Sequence, residues 1–309
     1  MSSAPDRSIA AAKVQQLAEG VHGYVQPDGS WWINNSGFIS AGGRTILIDT
    51  CSTERRTRAL LAAVTATTGA TPDTVLNTHH HGDHTNGNYL AEGALVIGHR
   101  KTRETMLAIG IEHYDALFTG SDWGHLELRP PELVFDNRLT LYAGDVEIQL
   151  IHPGHAAHTT NDVLVWLPRQ RILFAGDLVF NGGSPFALMG SVAGSRAALN
   201  IIRELNPKTI LAGHGPVCGP EVVDVVDDYL AFVQEVAERG FEAGQNPLEA
   251  ARAADLGRFA ALSEQERLPA NIYRAYAELE GKEWGAPLDL SVAFTYSLNY
   301  NGGPIRCFS

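Results

Sequence analysis

The first regular pattern along the chain is an alternation of period two. Gly20-Val21-His22-Gly23-Tyr24-Val25 puts successive side chains on opposite faces and predicts a strand. Pro27-Asp28-Gly29 marks a turn. Trp32 to Ile39 and Thr45 to Thr50 then read as a hairpin closed through Gly42-Gly43-Arg44. The period changes after the capping-type start Ser52-Thr53-Glu54, because Leu60, Leu61 and Val64 recur at helical spacing within Arg55 to Thr68. Thr71-Pro72-Asp73 breaks that helix, and the apolar run Thr74-Val75-Leu76, ending at Asn77, is the next strand. A short helix begins over Asn88 to Ala91, Leu95-Val96-Ile97 is a strand, and Lys101 to Ile109 is helical.

Periodicity is lost from Gly110 to Pro131, where Tyr114, Phe118 and Trp123 are interspersed with Gly and Asp. A long aperiodic segment is either an irregular surface excursion or a wall over a pocket. A second β-rich half follows, with strands at Leu139 to Tyr142, Val146 to Ile151, Val163 to Leu167 and Arg171 to Ala175. Ser195 to Leu205 is helical and Thr209-Ile210-Leu211 is a strand. Beyond it the chain turns helical over Val222 to Arg239, Pro247 to Leu256 and Pro269 to Leu279, and it ends in an aromatic, glycine-broken tail from Leu290 to Ser309. Strands with helices, twice over, then helices predict an α/β sandwich of two sheets flanked by helices. No stretch is rich enough in Gly, Pro or Ser to be a linker, so the expectation is one domain over residues 1–309, with a core over about 20–220 and a helical extension over 221–309.

Composition changes this picture little. With 44% hydrophobic and 19% charged residues the chain is globular rather than disordered. A formal charge of -12 argues against nucleic-acid and anionic-membrane partners, which need clustered Lys and Arg. Cys51, Cys218 and Cys307 are odd in number and far apart, so no disulfide framework is signalled. Met1 to Gly20 has charges and no apolar segment of signal type, and no apolar run reaches about 18 residues, so a soluble cytoplasmic protein is expected.

Candidate chemistry changes it a great deal. In Thr78-His79-His80-His81-Gly82-Asp83-His84 a run of histidines and an aspartate stands just beyond an apolar strand. The same rule holds where Ile151 leads to His152, His155 and His158, where Phe174 leads to Asp177, and where Leu211 leads to His214. Ligands gathered from neighbouring strand ends build a cleft site. Imidazole and carboxylate donors without thiolate suit Zn, Fe, Mn or Ni.

In order and type these four motifs resemble the metallo-β-lactamase superfamily, over roughly Val21 to Cys218. The resemblance implies an αββα sandwich and a dinuclear centre. His79, His81 and His158 would hold one ion, Asp83, His84 and His214 the other, and Asp177 would bridge them with a water or hydroxide between. Two zinc ions are expected, with iron or manganese as alternatives. His158 is preferred to His155 because, in the family, a His-Thr pair stands four residues before a residue that opens a β-branched strand, as His158-Thr159 stands before Asp162-Val163. His152 and His155 then read as neighbouring or surface histidines, and His80 as facing away from the ions. His22, His99, His113 and His125 have no ligand spacing. Asp49 matches a position that supports the metal-binding loop in the family; a simple turn aspartate is the other reading.

The full donor set is similar to that of glyoxalase II and the lactonases, which implies a hydrolase of thioesters, esters or lactones working through a metal-bridging hydroxide, with Asp83 and Asp177 as catalytic carboxylates. Exported class B1 β-lactamases carry Cys where Asp177 stands, the flavodiiron proteins carry Glu where His81 stands, and the nucleases carry an inserted domain that the short Asp177-to-His214 interval lacks. No basic C-terminal cluster of the glutathione-binding kind is present. Trp31-Trp32, Tyr114 to Trp123, Phe180 to Phe186 and the C-terminal Phe and Tyr residues favour a bulky, flat, apolar substrate if they line the pocket. Length, the Asn34-Asn35-Ser36-Gly37 entry and the aromatic content are similar to cyclase–thioesterases of aromatic polyketide pathways, which implies a carrier-protein- or CoA-linked acyl substrate. In that variant an aldol step would precede hydrolysis. The alternative in another class is a mononuclear iron oxidoreductase of the persulfide dioxygenase type.

Overall fold

The computed structural model describes residues 12–27, 29–112, 114 and 117–309. Residues 1–11 of the N-terminal segment, Asp28 of the predicted turn and His113 lie outside the described residues. The first half forms β1 (Lys13–Ala18), β2 (Val21–Val25), β3 (Ser36–Ala41), β4 (Arg44–Ile48), α1 (Glu54–Thr68), β5 (Thr74–Leu76), the one-turn α2 (Gly82–Thr85), β6 (Leu95–His99), α3 (Arg100–Ile109), β7 (Phe118–Thr119) and β8 (Leu133–Phe135). The second half forms β9 (Arg138–Ala143), β10 (Val146–Ile151), β11 (Leu164–Leu167), β12 (Ile172–Phe180), α4 (Val192–Leu205), β13 (Thr209–His214), α5 (Glu221–Glu242), α6 (Pro247–Ala253), α7 (Arg267–Leu279), α8 (Leu290–Asn301) and β14 (Ile305–Arg306).

Two sheets result. One has seven strands in the order β1-β2-β3-β4-β5-β6-β8, and the other has five in the order β13-β12-β11-β10-β9. β4, β5, β6 and β8 run parallel, whereas β9 to β12 are antiparallel and β13 joins β12 in parallel. The sheets bury their inner faces against each other, with Ile39, Ile46, Ile48 and Leu76 meeting Ile148, Val165, Phe174 and Leu211. Gly37 shows how close this approach is: a Cβ there would lie 2.2 Å from Phe174 Cε1. Outside the first sheet Leu60 and Val64 of α1 pack on Phe38, Leu47, Val75 and Val96. Outside the second, α4, α5 and α7 cover Leu173, Ile210 and Ala212. The layers are therefore αββα. Among the described residues no helix is long and apolar enough to cross a membrane.

Local chemistry sets the element ends. Thr53 caps α1 through its hydroxyl, which accepts from Arg56 N at 3.3 Å, and Gly69 ends the helix at φ 75°. Three sequence expectations need correction. Trp32 to Asn35 is not strand: Trp32 has φ 67°, and Asn35 Nδ2 donates to the carbonyls of Ala212 (2.9 Å) and Gly215 (2.6 Å). Such side-chain bonds compete with a ladder and give the backbone another solution. The strand after Arg171 does not stop at Ala175, since it bends at Gly176 (φ 51°) and runs on to Phe180. The tail is not merely broken, because Leu290–Asn301 is helical and ends at Gly302.

Candidate metal centre and substrate cavity

All seven predicted donors converge at one mouth of the sandwich. β5 ends three residues before His79, α2 carries Asp83 and His84, Asp177 sits where β12 bends, and His214 ends β13. His79, His81, His158 and Asp177 form one group and Asp83, His84 and His214 another, each with donor atoms within 4.8 Å of one another. In the first group His81 Nδ1 lies 3.1 Å from His79 Nε2 and 3.0 Å from His158 Nε2. In the second His214 Nε2 lies 3.2 Å from Asp83 Oδ2, and His84 Nε2 lies 3.7 Å from the same oxygen. Asp177 stands between them, with Oδ2 at 3.5 Å from His158 Nε2 and 3.3 Å from His214 Nε2, and Oδ1 at 3.1 Å from His84 Nε2.

These residues fit a pair of metal ions on two counts. A tetrahedral ion with bonds of about 2.0–2.1 Å spaces its donors at roughly 3.3 Å, and the separations above bracket that value. The outer nitrogens are also occupied, which leaves the inner ones for lone-pair donation. His84 Nδ1 faces Asp49 Oδ2 at 2.8 Å, His158 Nδ1 faces the Phe186 carbonyl at 2.6 Å, His214 Nδ1 faces the Gly29 carbonyl at 3.1 Å, and His79 Nδ1 faces Thr78 Oγ1 at 3.1 Å. Such outer partners fix the tautomer and aim the ring. His84 Nε2 and Asp177 Oδ1 are buried and make no hydrogen bond, an arrangement that costs free energy unless something else is bound there. Burial would raise the Asp177 carboxyl, but His214 and His84 hold it well below the ordinary value. Burial would likewise lower His214, but Asp177 and Asp83 push it up to about 9.

Asp49 turns out to be more than a turn residue. At φ 58° its carboxylate accepts from Thr78 N (2.7 Å) and Thr78 Oγ1 (2.6 Å) while it faces His84, so it ties the end of β4 to the start of the histidine loop. The other histidines stay apart from the cluster. His80 faces Asn161, His152 stacks on His99 at 4.1 Å between centroids, His155 meets Trp284, His22 stacks on Phe38, and His125 pairs with Glu127 at the surface.

A cavity opens over the donors, with His81, Asp83, His158, Asp177 and His214 in its floor. Its walls are Trp31, Trp32, Tyr114, Phe118, Phe180, Phe186 and Phe294, so the aperiodic segment after Gly110 forms a wall of the pocket. Of the aromatic tail only Phe294 reaches the lining; Tyr296 packs on Tyr273, and the Arg306 guanidinium covers Phe308. Trp31 is held from three sides. Its backbone N–H donates to Glu264 Oε1 (2.6 Å), its indole N–H donates to Glu266 Oε1 (2.7 Å), and the Arg267 guanidinium lies 4.2 Å from its ring centre. Phe180 in turn stacks on the His214 ring at 5.3 Å and 8°.

Sequence reasoning missed Arg267, Met189 and Glu112. Arg267 is buried under the wall and donates to the Ser184 carbonyl (2.8 Å), and Met189 Sδ sits 3.2 Å from His81 Nε2. Glu112 lines the cavity, and burial raises its carboxyl to about 7. None of the three stands at a strand end or in a recognisable spacing.

The comparisons with known proteins agree with the fold. The family model described as the metallo-β-lactamase superfamily matches residues 29–214. A β-lactamase-like protein 2 homolog of Caenorhabditis elegans is 25% identical over 63% of this chain and 60% of its own length. The type 2 metallo-β-lactamase of Bacteroides fragilis is 23% identical over 70% of this chain and 86% of its own, and the hydroxyacylglutathione hydrolase of Bartonella quintana is 30% identical over 47% of this chain and 49% of its own. The chain thus spans less than two thirds of the first and last of these. Among solved structures, a metallo-β-lactamase from Pontibacter korlensis superposes with TM-score 0.59 at 20% identity, over 72% of this chain and 99% of that one. DIM-1 metallo-β-lactamase superposes with TM-score 0.58 at 18% identity, over 72% and 99%. Such identities carry the fold alone.

Two sandwiched sheets with a histidine–aspartate cluster at their mouth define a class of metal-binding fold. This chain belongs to the metallo-β-lactamase superfamily.

Proposed function

We propose that the protein is a dinuclear zinc hydrolase that cleaves a thioester, ester or lactone of a bulky aromatic or apolar metabolite. The observation that carries this reading is the position of the aromatic walls: Trp31, Trp32, Phe180, Phe186 and Phe294 share one cavity with His81, Asp83, Asp177 and His214. An apolar pocket with a few convergent polar groups is the usual form of a small-molecule site. Bound zinc polarises a carbonyl and lowers the pKa of water to about 7, which supplies a nucleophile at neutral pH. The chain's own part is to hold and exclude. The aromatic walls keep a flat acyl group against the donor cluster and displace bulk water. Asp83, whose Oδ2 lies 3.2 Å from His214 Nε2, is the carboxylate placed to manage a proton there. Asp177, between the two groups, fixes their separation.

Within this class the cavity suits a cyclase–thioesterase of aromatic polyketide biosynthesis acting on a carrier-protein- or CoA-linked chain. The test joins metal analysis to a panel of aryl and alkyl thioesters, esters and lactones. Two zinc ions per chain with aryl-thioester turnover are expected. Asp177→Ala is expected to lower the metal content and to cut turnover by about a thousandfold or more. One iron per chain without hydrolysis would overturn the reading in favour of an oxidoreductase, and a fully active Asp177→Ala protein would overturn the two-ion centre.

A further inference from the structure

Beside its aromatic walls the cavity lining holds Met189, Arg267 and, at one edge, Glu112. Glu112, 5% exposed, lies in the aperiodic segment and lines the cavity beside Asp83. Its Oε2 accepts from Gly82 N at 2.8 Å, and its Oε1 accepts from the Tyr114 hydroxyl at 3.1 Å. Its backbone carbonyl accepts from Asn86 Nδ2 at 2.9 Å, so both ends of α2 hold it in place. Tyr114 is fixed as well, with its ring 6.1 Å from Trp32 and 5.9 Å from Phe294. Both oxygens accept from donors, the pattern of the ionised form, which offers about four acceptor positions. The two donors just named use half of them. The positions left over are open to a donor on a molecule bound in the cavity that Glu112 lines.

We propose that Glu112, steadied by Tyr114, is a specificity-determining residue that accepts a hydrogen bond from a hydroxyl on the flat acyl group. This rests on the cavity being the acyl pocket of the function proposed above. The chemistry it selects is a phenolic or enolic hydroxyl at the edge of an aromatic or folded apolar acyl group. A methyl ether at the same position cannot donate, and an unsubstituted ring leaves the acceptor unfilled. Sites built to bind a hydroxyl discriminate strongly against analogues that lack it.

The test is calorimetric titration of the zinc-loaded full chain with isomeric hydroxynaphthoic acids, their methyl ethers and unsubstituted naphthoic acid. At least one hydroxy isomer is expected to bind about tenfold more tightly than both its ether and the unsubstituted acid. In Glu112→Gln the single amide acceptor is taken by Gly82 N–H, and the edge toward Tyr114 becomes a donor. The hydroxy-over-methoxy preference is then expected to fall to within about twofold, with zinc per chain unchanged. The proposal is overturned if no hydroxy isomer is favoured or if the preference survives Glu112→Gln. It is also overturned if Glu112→Gln loses zinc and weakens all three ligand types together, because that marks a purely structural role. Failure of the wild-type enzyme to hydrolyse a naphthoyl thioester strikes the proposed reaction instead and leaves this binding comparison standing.

Discussion

Asp49 is where the chain's local chemistry and its candidate centre meet. Its left-handed backbone, which aspartate tolerates better than most residues, turns the carboxylate back over the end of β4 toward Thr78 and His84. An amide has one acceptor oxygen where the carboxylate has two, so Asp49→Asn must lose either the Thr78 N–H bond to Oδ1 or the hold of Oδ2 on His84 Nδ1. Zinc affinity is expected to fall about 10–100-fold, read by competition with a chelator, while far-ultraviolet circular dichroism stays unchanged. An unaltered affinity would reduce Asp49 to a turn residue. At this scale the donors were legible because each follows an apolar run, and the end of such a run is a sequence signal. Glu112 and Arg267 were not, for opposite reasons. Glu112 lies in a segment with no period, and Arg267 lies where an arginine reads as solvated surface until folding lays Trp31 over it.

Elements were legible where alternation or helical spacing was strong, as in β2, β4, α1 and α5. β1 escaped because its first four residues are exposed and carry little apolar alternation, and β8 because it is three residues long. The boundary of β3 was misjudged because the Asn34-Asn35 pair bonds to carbonyls of distant segments, a choice that only tertiary structure reveals. One contact between elements predicts a pH effect. His99 ends β6 and His152 follows β10, and their rings stack at 4.1 Å and 14°. Burial, aided by the His99 ring, lowers His152 from 6.5 to about 4. Between those values the unfolded chain takes up a proton that the folded chain refuses, so this residue's contribution is whole above pH 6.5 and is lost as pH falls toward 4. His152→Phe keeps the stack and removes the titration. Because His152 is only partly buried the effect is small, and the fall in Tm between pH 7 and pH 4.5 is expected to shrink by about 1–3 °C. An unchanged slope in differential scanning fluorimetry would contradict it.

At the scale of the molecule, the sandwich supplies the donors and the remainder of the chain supplies the walls. Solved relatives cover 72% of the chain, and the helical extension contributes Arg267 under Trp31 and Phe294 to the cavity. The last residues then return to the first. β14 pairs in parallel with β7, joining Ile305 to Phe118 and Arg306 to Thr119. Cys307 Sγ donates to the Trp31 carbonyl at 3.3 Å, the Phe308 carbonyl accepts from Arg56 Nη2 at 2.8 Å, and the Ser309 hydroxyl bonds to Ser121. None of these contacts touches a donor residue, so the tail braces the wall and leaves the centre alone. Deleting Ile305–Ser309 frees the edge of β7 and one anchor of Trp31 together. The zinc content and the turnover number are expected to hold. KM for an aryl thioester should rise about 3–10-fold, because a loosened wall binds ground state and transition state equally less well. Limited proteolysis should cut faster within residues 117–124, where the backbone has lost its partner strand. Loss of zinc on deletion would show that the tail supports the donors themselves. An unchanged KM would show that the wall stands without it.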